Sequence, residues 1–282
     1  MIAPRIIARL DIKGPNLVKG VQFEGLRVLG IPGDFARHYY ESGADELLYV
    51  DIVASLYDRA NLLHIVESTS REVFIPLTVG GGLRSLDDIR SALHAGADKV
   101  ALNTAAIKRP SFVGEAARRF GSSTVVVSIE AKRQPDGSYE AYVDHGRERT
   151  GLEAVGWARQ AVEQGAGEIM VTSIDRDGTG RGFDVDLVRR MAEAVPVPVV
   201  ACGGAGTADH VRDVLMGGLA DGAAVASMLH YRYLRDHPRV GTPALAGHLD
   251  MGPLTSSRMA PATVAEIKER VAAGGLMPRP VV

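Results

Sequence analysis

Apolar and polar positions along the chain follow two alternating periods. Short apolar runs lie near Ile6–Leu10, Leu47–Asp51, Ile75–Val79, Lys99–Leu102, Thr124–Ile129, Ile169–Thr172, Val199–Cys202 and Gly222–Ala226. Each is strand-length and reads as a buried strand. Between them, Leu86–Ala95, Ser111–Phe120, Glu153–Gln164 and Asp186–Ala194 carry apolar residues at helical spacing. Strands alternating with helices predict a parallel sheet. Two segments break the rhythm. Residues 13–32 form a long first stretch with four glycines, expected to be a mobile lid. Residues 231–261 are polar, rich in Pro and Gly and without period, and are expected to be an irregular insertion. A helix resumes over 262–273, and the Pro-rich tail beyond it is expected to fray.

The pattern repeats itself. GGGLRSLDDIRSALHAGADKVALNT (Gly80–Thr104) aligns with GGAGTADHVRDVLMGGLADGAAVAS (Gly203–Ser227). GADELLYVDIVAS (Gly43–Ser55) matches GAGEIMVTSIDRD (Gly165–Asp177), and IIARLDIKG (Ile6–Gly14) matches VVVSIEAKR (Val125–Arg133). The offset stays near 120 residues, far longer than a solenoid period of about 20–50. Two halves, about 1–120 and 121–230, each supply four strand–helix units. Eight parallel strands close into a (β/α)8 TIM barrel, a fold of about 250 residues. The expectation is one α/β domain over residues 1–282.

Composition narrows the function classes. A net charge of −2 over 282 residues gives no reason to expect nucleic acid or an acidic membrane surface as partner. The lone cysteine, Cys202, excludes an intrachain disulfide framework, and no Cys/His spacing suits zinc. Without a basic-then-apolar leader or an apolar run near 18 residues, a soluble cytoplasmic protein is expected. DRDGTGRGFDVD carries acids near a calcium-loop spacing, but it follows a strand and lacks the closing Glu. Neither metal nor cofactor is expected. His230, just past the eighth strand, is the histidine to watch.

In such a barrel the chemistry sits at the C-terminal ends of the strands. The repeat sets Asp11 and Glu130 at equivalent positions past strands one and five, on opposite sides of the mouth. Paired carboxylates across one pocket suit acid–base work, one ionised and the other protonated. Asp51 and Asp177, past strands two and six, are candidates for orienting substrate hydroxyls. Two glycine turns at helix starts offer backbone N–H groups to anions. One site would combine Gly81 and Gly82 with Asn103 and Thr104. The other would combine Gly178 with Gly204, Ala205, Gly206 and Ser227. The implied substrate is elongated, with a phosphate at each end. At the barrel's other end, Arg5, Glu46, Lys99 and Glu168 start strands one, two, four and six. Pointing inward, they would put two cations and two anions where an apolar plug is cheaper, which invites a functional reading.

The motifs LDIKGPNLVKG, GADELLYVDIVAS, IPLTVGGGLRS, GADKVALNTAAIK, GAGEIMVTSIDRDGTG and ACGGAG resemble the HisF family, over about residues 1–230. These are the cyclase subunits of imidazole glycerol phosphate synthase. The resemblance implies a lyase of histidine biosynthesis, with Asp11 and position 130 as catalytic acids. It implies ammonia supplied by a HisH-like glutaminase docked at the N-terminal face and passed through a gate matching Arg5, Glu46, Lys99 and Glu168. The products would be imidazole glycerol phosphate and aminoimidazole-carboxamide ribonucleotide. Four departures stand out. Position 130 is Glu rather than Asp, Arg9 replaces a small Cys, Val53 a Thr and Cys202 a Ser. The extra methylene extends the acid by about 1.5 Å. HisF-like paralogues that deliver ammonia to sugar amidotransferases in surface-glycan synthesis are the alternative reading that Glu130 and Arg9 keep open.

Overall fold

The computed structural model describes residues 3–22, 24–53, 59–238 and 258–281. Its barrel strands are β1 (Arg5–Lys13), β4 (Glu46–Asp51), β5 (Leu77–Gly80), β6 (Lys99–Leu102), β7 (Val125–Arg133), β10 (Glu168–Ser173), β11 (Val199–Cys202) and β12 (Gly222–Val225). Every neighbour pairs in parallel, and β12 pairs back onto β1, with Arg5 opposite Gly222, so the ring is closed. Eight parallel strands with helices outside make the (β/α)8 barrel that the alternation predicts.

The helices start where the sequence caps them. Ser85 and Asp88 form a reciprocal capping box ahead of α3 (Leu86–His94). Thr207 caps α8 (Ala208–Gly217) and Asp184 caps α7 (Val185–Ala194). Pro32 occupies the first turn of α1 (Pro32–Glu41), where its missing N–H costs nothing. One apolar core fills the space between strands and helices. A second, smaller cluster of Ile7, Leu48, Ala101, Val126, Met170, Val200, Cys202 and Ala224 fills the barrel's interior.

Three expectations change. The first stretch is a hairpin and not a long loop: β2 (Asn16–Val21) pairs antiparallel with β1, and β3 (Glu24–Gly30) pairs with β2. The repeat-related strand β7 carries a matching hairpin, β8 (Tyr139–Val143) and β9 (Glu148–Glu153). Both parent strands run nine residues and lift their hairpins above the barrel mouth. The irregular insertion begins later than its composition suggests. Residues through 236 continue α9 (Ser227–Asp236), because Leu229, Tyr233 and Leu234 bury against the core at helical spacing. Of the remainder, 239–257 lie outside the described residues. The terminal helix forms as α10 (Val264–Ala273), anchored by a buried ion pair of 2.8 Å between Lys268 and Asp45. The tail after it is tied down near its end, where Val281 packs against Gly43.

Candidate active site

The two acids stand at the ends of β1 and β7, four strands apart around the ring and so on opposite sides of the mouth. Each is held by the hairpin that its own strand carries. Lys19, on β2, reaches back to Asp11 Oδ2 at 3.2 Å and toward Asp177 Oδ2 at 3.5 Å. Arg9 Nε donates to the other Asp11 oxygen at 2.8 Å. On the far side, the Gly146 N–H, in the β8–β9 turn, donates to Glu130 Oε2 at 2.8 Å. That turn runs left-handed through Asp144, His145 and Gly146, a conformation that aims its backbone and His145 at the mouth.

The two partners set two protonation states. Burial by itself would raise the Asp11 carboxyl, but the Arg9 and Lys19 charges reverse this and hold it well below the usual carboxylate range. Burial pushes Glu130 up to about 7, because the more distant Arg9 charge, the Gly146 N–H and a hydrogen bond from Asn103 offset it only in part. At neutral pH Asp11 is therefore a carboxylate, while Glu130 is poised to carry a proton.

Glu130 opens onto a cavity of about 640 Å³ that reaches down to Ala101 and Met170 inside the barrel. Gly81, Gly82, Asn103 and Thr104 line its rim, as the repeat predicts. Three cations missed in the sequence, Arg84, Lys108 and Arg109, join them. Gly81 adopts φ +98°, and a Cβ there would lie 2.2 Å from the Asp51 carbonyl. Asp51 itself is buried beneath that turn and accepts the Val53 N–H at 3.0 Å, so it backs the glycines and does not line the cavity.

A smaller recess on the opposite side brings together Asp177, Gly178, Gly204, Ala205 and Ser227, with Arg9 and Lys19 along one wall. Gly206 does not join them. Its N–H is taken by His210 Nδ1 at 3.2 Å, its carbonyl accepts from Ala260, and it packs on Gly180. Asp11 lines neither space. His230 is fully buried, bonds Tyr39 Oη through Nδ1 at 2.6 Å, and is pushed down to about 3 by burial first and Lys19 second. It is a neutral core residue behind the site. Among the described residues, no group of three or more His, Cys, Asp or Glu is placed to hold a metal ion.

At the other end, the four charges turn inward and touch. Arg5 Nη1 donates to Glu46 Oε1 and Glu168 Oε2, both at 2.8 Å. Lys99 Nζ completes the ring at 3.4 and 3.2 Å to the same two carboxylates. Beside this face Phe74 is 75% exposed, next to a hollow lined by Val73, Ile75 and Pro76.

A family model described as Histidine biosynthesis protein matches residues 5–235. A relative in Legionella pneumophila, named "Imidazole glycerol phosphate synthase subunit HisF", is 58% identical over 202 residues, 72% of this chain and 95% of its own. Relatives of the same name are 49% identical in Alkaliphilus metalliredigens (82% of this chain, 92% of its own) and 51% in Myxococcus xanthus (82% and 90%). No described helix is long and apolar enough to cross a membrane.

Proposed function

The chain belongs to the histidine biosynthesis protein family, and from that membership and the paired acids we propose that it is the cyclase subunit of imidazole glycerol phosphate synthase. It takes up ammonia into a substrate with two phosphates and closes the imidazole ring. The observation that carries this reading is the opposed state of two carboxyls on repeat-related strands. Asp11, ionised, accepts the proton released as ammonia adds. Glu130, protonated, delivers one to the departing group from the other side. Each transfer contributes about 10²–10⁴ in rate.

The phosphates sit at the two glycine sites. One rests against Gly82, Asn103 and Thr104, with Arg84 and Lys108 adding charge. The other rests against Gly178, Gly204 and Ser227. Ammonia comes from a HisH-like glutaminase docked on the face that exposes Phe74, passing the Arg5–Glu46–Lys99–Glu168 ring into the barrel. A buried ring of charges is a poor stabiliser next to packed hydrocarbon, which supports a role in transfer. No metal or cofactor takes part in this scheme. Replacing Asp11 by Asn tests it: ammonia-dependent cyclisation should fall at least about 10²-fold with phosphate affinity nearly unchanged. An Asp11→Asn enzyme that keeps wild-type turnover removes the proton acceptor from the scheme.

A further inference from the structure

The inward positions of β1 climb the barrel in order. Arg5 joins the charged ring, Ile7 the apolar interior, and then come Arg9 and Asp11. Arg9 is only 5% exposed and divides its guanidinium. Nε donates to Asp11 at 2.8 Å, and Nη1 donates to the Cys202 sulfur at 2.9 Å. Nη2 has no hydrogen bond among the described residues, yet it is not one of the fully enclosed orphan atoms. The side chain forms a wall of the recess that holds Gly178, Gly204 and Ser227. It also explains the asymmetry of the mouth: with Arg9 drawn against it, Asp11 opens onto neither space, while Glu130 faces the large cavity.

An arginine so placed has one hydrogen-bonded carboxylate and an Nη2 edge left for a second anion, which must widen a recess of about 20 Å³ to be seated there. A thiol is a weak acceptor, so the bond to Cys202 is cheaply exchanged. A phosphate oxygen is a strong one, and the planar fork suits two parallel bonds to it. We propose that Arg9 is a positioning residue shared between Asp11 and the anionic end of the substrate: a phosphate seated at Gly204 and Ser227 engages the free edge of the guanidinium, draws it off Asp11 and releases that carboxylate toward the substrate. Lys19 stays on the other carboxylate oxygen, so Asp11 remains ionised after release. The remaining charged or titratable groups facing Asp11 are Asp177 beyond Lys19, His145 from the β8–β9 turn and His230 from α9. The device makes occupancy of the recess a condition for proton acceptance, so a substrate lacking that phosphate would bind without reacting. The identity of the substrate rests on the cyclase reading, but the exchange of partners does not.

Inorganic phosphate titrated into the full chain tests this without any turnover. The Thr104 and Ser227 amide resonances report the two sites separately, and the Asp11 carboxyl carbon reports its contact with Arg9. In the wild type, phosphate should move the Asp11 carbon together with the Ser227 amide. In Arg9→Ala the Ser227 affinity should weaken about tenfold or more, the Thr104 affinity should hold, and the Asp11 carbon should no longer respond. Arg9→Lys keeps the charge and loses the fork, and should weaken Ser227-site binding by an intermediate factor. Phosphate binding at Ser227 that leaves the Asp11 carbon still in the wild type overturns the proposal. So does an unchanged Ser227 affinity in folded Arg9→Ala or Arg9→Lys, as a purely structural arginine would give. A wild type that shows both phosphate responses but makes no imidazole glycerol phosphate would instead overturn the cyclase reading alone.

Discussion

Glu130 and Asp11 are the same kind of group at related positions, yet their surroundings drive them apart. Glu130 is raised in the folded state, from the ordinary range to about 7, because burial outweighs the Arg9 charge and the Gly146 N–H that oppose it. Its contribution to stability is thus fully present below the ordinary Glu value and is lost as pH rises toward 7. Asp11 is held low, so its contribution is present above the ordinary Asp value and is lost in acid. Unfolding measured at pH 5 and pH 8 should show the wild type losing stability across that interval more than Glu130→Gln does. Equal losses would mean that Glu130 is already ionised at pH 5. If Glu130 is the proton donor of the proposed scheme, the same proton sets a limb of the rate profile. Ammonia-dependent kcat/KM should decline as pH rises through about 7, and that decline should be absent from the residual activity of Glu130→Gln.

At the scale of elements, the glycine turn after β11 brings backbone against backbone. Gly204 sits at φ +112°, and a Cβ there would lie 2.3 Å from the Gly182 carbonyl. Gly204→Ala should therefore shift the turn, lower thermal stability and raise the KM for the bisphosphate at least severalfold, which steady-state kinetics would show. An unchanged KM would place the second phosphate elsewhere. Both glycine turns are legible in the sequence because the chain repeats them, and so are the strand-end acids. The hairpins are harder to read. β9 is exposed almost throughout, with Leu152 its one large apolar residue, and it is ordered by pairing with β8, so no apolar period marks it. The Asp144–His145–Gly146 turn was the signal available for it. Lys19 reads as one polar residue in a glycine-rich stretch until the antiparallel return of β2 folds it over Asp11. Gly206 shows the converse: the repeat suggests an anion site, but His210 takes the N–H.

The whole molecule has two polar ends, the mouth and the charged ring, joined by an apolar interior. The cavity under Glu130 descends to Ala101 and Met170, and the charged ring closes the opposite end. If ammonia crosses from one to the other, replacing Lys99 by Leu opens the ring and should uncouple the two activities. Glutamine-dependent turnover with the glutaminase would fall severalfold or more, while turnover on added ammonia stays near wild type. An equal change in both would assign the ring to stability.

The central claim is that these two acids, with glutamate at position 130, close an imidazole ring. Wild type and Glu130→Asp assayed side by side with ammonia and the imidazole precursor test it most directly. A working cyclase adapted to the longer acid should turn over as wild type, and Glu130→Asp, about 1.5 Å shorter, should match it or fall below. A wild type inert on that precursor, with activity switched on by Glu130→Asp, would contradict the account.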